Sequence, residues 1–198
     1  MSAWDTPPGP QGPIGPQGIQ GPQGPTGPAG GLMIAHSEAT VTVNNNAAET
    51  ALANITIPAN TLKAGDALRF RFYGSILQNS GGGTPNFNWR FAFGSSLSIG
   101  PGSVGNVATA TSHDRPWIAE FVVQAESIAA QRAHGIVDQV VAAAATGLGI
   151  CNSLVGTKYG GAENLTAAVI ASFYVQMTLA STLVETQLYG YTVEKLPS

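Results

Sequence analysis

Charge is scarce in this sequence. Asp, Glu, Lys and Arg make up 10% of its 198 residues, far below the quarter or so of an ordinary soluble domain, and the formal net charge is −3. Eight scattered Lys and Arg supply no basic stripe for a phosphate backbone, which argues against nucleic acid as a partner. The same shortage removes any pull toward an anionic membrane. The polar surface must therefore come from Ser, Thr, Asn and Gln. Cysteine is almost missing: Cys151 stands alone, which excludes an intrachain disulfide, and its setting in Leu148-Gly149-Ile150-Cys151 reads as a small buried hydrophobe. No stretch approaches the length of apolar residues that a membrane-spanning helix needs. Residues 1–8 have neither the basic start nor the apolar run of a secretory signal, so the expectation is a protein made in a cytoplasm.

Catalytic chemistry is missing as well. His36, His113 and His134 lie far apart, with no second histidine at metal-ligand spacing, and His113-Asp114-Arg115 reads as a polar turn before Pro116. There is no Gly-x-Ser-x-Gly elbow, and Cys151 has no histidine near it in sequence. The expectation is a protein with no catalytic residue, no metal and no cofactor, not an enzyme. Asn54-Ile55-Thr56 and Asn164-Leu165-Thr166 fit the glycosylation pattern, which has no meaning without secretion.

What the chain does have is glycine in register. Gly9, Gly12, Gly15, Gly18, Gly21, Gly24, Gly27 and Gly30 fall on every third position without a miss, and proline follows glycine at Pro10, Pro13, Pro16, Pro22, Pro25 and Pro28. Three polyproline-II chains wound together leave room at their shared axis only for hydrogen, and proline pre-sets the extended backbone and lowers the entropy lost on ordering. A flexible Pro/Gly linker has no reason to hold a period of three. The run is thus read as a collagen-like stalk over residues 9–31, roughly 65 Å long, and the chain as a homotrimer. The repeat Gly9 to Gly30 carries no charged residue, so its register must be imposed by something folded at one end.

Residues 1–8 are too short to fold alone yet carry Trp4, and two readings stand: an attachment peptide, or a disordered leader. From residue 32 to 198 the pattern becomes alternation. Leu68, Phe70 and Phe72 oppose Arg69, Arg71 and Tyr73; Phe87, Trp89, Phe91 and Phe93 oppose Asn88, Arg90 and Ala92; Trp117, Ala119, Phe121, Val123 and Ala125 oppose Glu120, Gln124 and Glu126. Phe173, Val175 and Met177 alternate with Tyr174 and Gln176, and Tyr189, Tyr191 and Val193 with Leu188, Thr192 and Glu194. Residues 127–145 mix helix-forming alanines with Ile136, Val137, Val140 and Val141, and lean to strand. Asn79 to Thr84, Gly100 to Asn106 and Gly156 to Asn164 read as glycine-rich loops. About eight strands result, the pattern of a jelly-roll β-sandwich head. Val122 and Leu188 look like apolar residues on outer faces, where neighbours about a threefold axis would cover them. In the last loop Lys158, Tyr159 and Asn164 place an aromatic face beside polar groups, which reads either as a sugar contact or as a solvated loop with one tyrosine.

Gly-Pro-Gln triplets followed by a β-rich C-terminal region, without an export signal, resemble tailed-bacteriophage virion appendages: fibres, spikes and head decorations. The segment Ile57-Pro-Ala-Asn-Thr-Leu-Lys-Ala-Gly-Asp-Ala-Leu-Arg-Phe-Arg-Phe-Tyr-Gly74, where a Pro-Ala-Asn turn and a Gly-Asp turn bracket the start of a strand, is similar to one recurrent in such proteins. The resemblance implies a homotrimer on the virion surface, joined to other virion proteins through its N-terminus near Trp4. It implies either a structural fibre or decoration, or an adhesin whose head binds a host surface glycan or protein. The architecture is also similar to the trimeric heads of complement-type and tumour-necrosis-factor-like proteins, with no residue signature for their ligand sites.

Overall fold

The computed structural model describes residues 31–78, 86–104, 110–140 and 151–197. The repeat Gly9 to Gly30, Trp4 and the loop expected at 79–84 lie outside the described residues. Eleven strands are described: β1 (Leu32–Ser37), β2 (Val41–Asn44), β3 (Thr50–Ile57), β4 (Ala67–Gln78), β5 (Phe87–Phe93), β6 (Leu97–Val104), β7 (Ala110–Ser127), β8 (Ala130–Val140), β9 (Cys151–Gly161), β10 (Val169–Met177) and β11 (Val184–Leu196).

They form two antiparallel sheets. The larger runs β1-β11-β4-β7-β8-β9 with β2 also on β11, and the smaller runs β3-β10-β5-β6. The pairing is nested: β5 with β6, β4 with β7, β3 with β10, and β1 with β11. That is one long hairpin rolled into a sandwich, the jelly-roll order, with the β8–β9 hairpin added to the outside of β7. The alternating runs on β4, β5, β7 and β10 place their large apolar sets inward, because period two gives a strand one buried face. Phe70, Phe72, Trp117 and Phe121 of the larger sheet meet Phe87, Trp89, Phe91, Phe93 and Phe173 of the smaller, all at most 3% exposed. Across the gap Phe72 stacks on Phe173 at 4.5 Å and Phe91 on Phe121 at 4.6 Å, while Trp89 and Trp117 meet at 4.8 Å.

Several expectations are corrected. Gly100 to Asn106 was expected to be a loop, but residues 97–104 form β6. β6 is an edge strand, which tolerates Pro101 and takes up Gly100 at φ +109° where its register against β5 shifts. Residues 156–161, also expected in a loop, belong to β9. Here glycine serves close approach: a Cβ on Gly156 would sit 2.3 Å from Ile99, and one on Gly161 2.8 Å from Leu97, so the bare backbone lets β9 close against β6 along that side. His113-Asp114-Arg115 is no turn but part of β7. Pro116 fits there because pairing with β8 begins only at Trp117. Leu188 is 1% exposed rather than outward, since a bulge places Leu188 opposite Gly74 and Gly190 opposite Tyr73, leaving Tyr189 as the extra residue. Cys151 opens β9 opposite Val140, and its side chain lies outside what is described.

The two ends of the sandwich differ. Leu32 pairs with Lys195, and Ala67 with Leu196, so the chain enters from residue 31 at the end where β4 starts and β11 finishes. The described strand ends at 78, 87, 104, 110, 140 and 151 all lie at the opposite end.

Candidate functional site

Outward positions of β3 and β10 include the polar Asn54, Ser172 and Tyr174, beside core positions such as Ile55, Phe173 and Val175. Asn54 and Ser172 are directly opposite, and the Ser172 hydroxyl donates to Asn54 Oδ1 at 2.7 Å. Next to them on β10 stand Ile170, 54% exposed, and Tyr174, whose ring lies under the Arg90 guanidinium at 4.0 Å. Around this floor two turns rise as walls, the β5–β6 turn at Gly94–Ser96 and the segment 162–168 between β9 and β10. The result is an open groove of about 480 Å³ on the outer face of the smaller sheet, lined by Asn54, Ser95, Glu163, Ile170, Ser172 and Tyr174 among others.

Glu163 is held by its surroundings. Its backbone N–H donates to Gln131 Oε1 at 2.8 Å and its carbonyl accepts from Gln131 Nε2 at 3.0 Å, a two-bond clasp from a side chain only 1% exposed. Its carboxylate Oε1 accepts from the Ser95 N–H at 2.7 Å and from the Ser96 N–H at 2.5 Å. Gly94 makes this possible twice over: its φ of +65° turns the two N–H groups inward, and a Cβ there would lie 2.0 Å from the Glu163 carboxyl carbon. Burial pushes against the charge, but the hydrogen bonds from Ser96 and Ser95 outweigh it and hold the carboxyl below its usual range. Oε1 takes both backbone N–H groups and the Ser95 hydroxyl, and Oε2 takes neither amide.

Positive charge near the groove is already spent. Arg90 donates to Glu49 through Nε at 2.7 Å and Nη2 at 2.5 Å. Arg69, Arg71, Arg132 and Lys195 are likewise ion-paired, so five of the eight basic residues are neutralised and no basic stripe forms among the described residues. Nor do three His, Cys, Asp or Glu side chains gather to hold a metal ion among the described residues.

The residues singled out in the sequence fall otherwise. Lys158 is exposed on β9 opposite Ala133, and Tyr159 pairs through its backbone with Arg132, its side chain lying outside what is described. Asn164 is exposed, but its Oδ1 accepts from the Thr166 N–H at 3.0 Å and hydroxyl at 2.7 Å, an Asx turn that shapes its own segment. Glu163, between them in sequence, is the residue that reaches the groove. The one available signal was the polar outward set Asn54, Ser172 and Tyr174 on two strands, and nothing in the sequence shows that those strands pair.

Acid should loosen this end of the head. Asp66 is lowered like Glu163, first by Lys195, whose Nζ lies 2.7 Å away, against burial, and then by the Lys63 N–H. Because folding depresses both values, the unfolded chain takes up protons first. Their contribution is complete above the usual carboxylate range near about 4 and is lost as pH falls through the lower folded values. The melting temperature of the head should be level from neutral pH down to about 5 and decline below about 4, and Asp66→Asn should flatten that decline. A decline unchanged by Asp66→Asn would contradict the assignment.

No protein-family model matches the sequence, and no curated protein is similar to it. Among solved structures the chain is similar to the metal-free form of lectin I-B4 from Griffonia simplicifolia, at 8% identity and a TM-score of 0.39 over 75% of this chain and 80% of that one. It is also similar to lectin I from Ulex europaeus in complex with the methyl glycoside of α-L-fucose, at 8% identity and a TM-score of 0.35 over 80% of this chain and 98% of that one. Neither likeness bears on what the groove binds.

Proposed function

We propose that this protein is a homotrimeric virion appendage, in which a leader at residues 1–8 attaches to the particle, a collagen-like stalk at 9–31 spans outward, and three jelly-roll heads sit at the far end. The observation that carries the reading is the unbroken register of eight glycines running straight into a folded sandwich at Gly31. The junction supports it. Leu32 and Met33 are 64% and 51% exposed where three chains would converge, and β1 is an edge strand. On the outer face of the larger sheet Tyr73 and Ile118 are directly opposite each other and exposed, with Tyr189 beside them, an apolar surface that neighbouring heads would cover. The stalk enters one end of the sandwich, so the opposite end faces away from the particle.

Three leaders emerging together would bind multivalently, each one weakly, with Trp4 as the anchor. Deleting residues 2–8 should leave a folded trimer that no longer incorporates into virions, and Trp4→Ala should weaken incorporation. Truncated protein on purified particles at normal copy number would make the head the anchor and overturn this orientation.

A further inference from the structure

We infer that the groove on the outer face of the smaller sheet is a binding site for an uncharged saccharide, recognised through a pair of neighbouring hydroxyls. The groove belongs to a single head, so the inference is independent of what the stalk attaches to.

The polar groups around the groove are matched to hydroxyls. A sugar hydroxyl both donates and accepts, and the groove offers one fixed acceptor and one fixed donor. Glu163 Oε2 takes neither of the amides that bond Oε1, on a carboxylate locked in place by the Ser95 and Ser96 amides and by the Gln131 clasp. The Asn54 amide is oriented by the Ser172 hydroxyl on its oxygen, which leaves its nitrogen to donate. These side chains are pre-set by other bonds, so little entropy is lost in using them. Ile170, over half exposed, and Ala168 supply apolar surface for the C–H face of a ring, beside the Tyr174 edge of the groove.

The same geometry sets the charge of the ligand. No lining residue is cationic, and the nearest guanidinium, on Arg90, is held by both oxygens of Glu49. An ionised carboxylate in the wall repels uronic, sialic or sulfated sugars. A water-filled groove in which Glu163 only braces the β5–β6 turn is the competing account. It explains Oε1 and Gly94, but not the exposure of Ile170 on the groove floor. Three heads on one stalk would turn weak single-site binding into firm attachment to a polymer that repeats the motif.

The test applies the full-length protein to an array of immobilised uncharged oligosaccharides of glucose, galactose, mannose and N-acetylglucosamine, with uronic, sialylated and sulfated glycans alongside. Retention on at least one uncharged series and none on the acidic ones is expected. Ala168→Trp, at an exposed position, should fill the groove and abolish retention with an unchanged melting temperature. Glu163→Gln should weaken it by about tenfold or more, through loss of a charged acceptor. In the unaltered protein, titration with the retained oligosaccharide should move the methyl NMR signals of Ile170 and Ala168 but not that of Ile118 on the opposite sheet. Failure to retain any uncharged series, preference for acidic glycans, or methyl shifts confined to residues outside the groove would each overturn the proposal. All three outcomes leave the stalked-appendage reading standing.

Discussion

Phe173→Ala should cost the head about 3–5 kcal/mol, the range for deleting a fully buried aromatic ring. The ring is 0% exposed and sits where both sheets converge, stacked on Phe72 at 4.5 Å and on Trp89 at 5.5 Å, with Trp117 and Phe121 each at 5.7 Å. Four of its neighbours are themselves large rings on strands fixed by their ladders, so the surroundings have little freedom to collapse into the space. For a domain of this size that loss corresponds to a fall of roughly 10 °C in the melting temperature of the head. Denaturant unfolding followed by tryptophan fluorescence reads it directly. A loss under about 1 kcal/mol would mean that the two sheets do not share this core.

Gly74→Ala adds one carbon and should be nearly as damaging. Its Cβ would stand 1.9 Å from the Gln187 carbonyl oxygen and 2.4 Å from the Trp117 ring. The oxygen belongs to the β11 backbone opposite β4, and the ring is held by its Nε1 donating to the Ser75 carbonyl at 3.2 Å and by contact with Trp89. Neither neighbour can yield without parting β4 from β11 or expelling Trp117 from the core. Overpacking of this kind costs about 3 kcal/mol or more, at the upper end of its range. The variant should unfold at markedly lower denaturant, with the emission of Trp117 shifted toward that of exposed indole. A midpoint within experimental error of the unaltered protein would contradict the pairing of Leu188 with Gly74.

The strands that sequence reading found are those whose inward positions carry large side chains. Phe87, Trp89, Phe91 and Phe93 announce β5 because a period of two in bulky residues has no other cheap explanation. β6 and the end of β9 were missed for the complementary reason: Gly100 takes a positive φ at a register shift and Gly156 and Gly161 let two edge strands approach, and glycine signals a loop just as readily. The phase slip at Tyr189 was illegible because a bulge is a property of the pairing, and neither strand alone encodes it. The groove was hidden in a further way. Asn54, Ser95, Glu163 and Tyr174 come from four separate segments, and only the nested pairing of β3 with β10 and β10 with β5 assembles them. The glycine repeat needed no such assembly, since its period is itself the structural constraint.

That repeat carries the central claim, and sedimentation equilibrium of the full-length protein tests it most directly. The account predicts a single species with the mass of three 20.2 kDa chains, persisting across dilution. A species with the mass of one chain would mean that the run from Gly9 to Gly30 is a linker and that the trimeric reading is wrong.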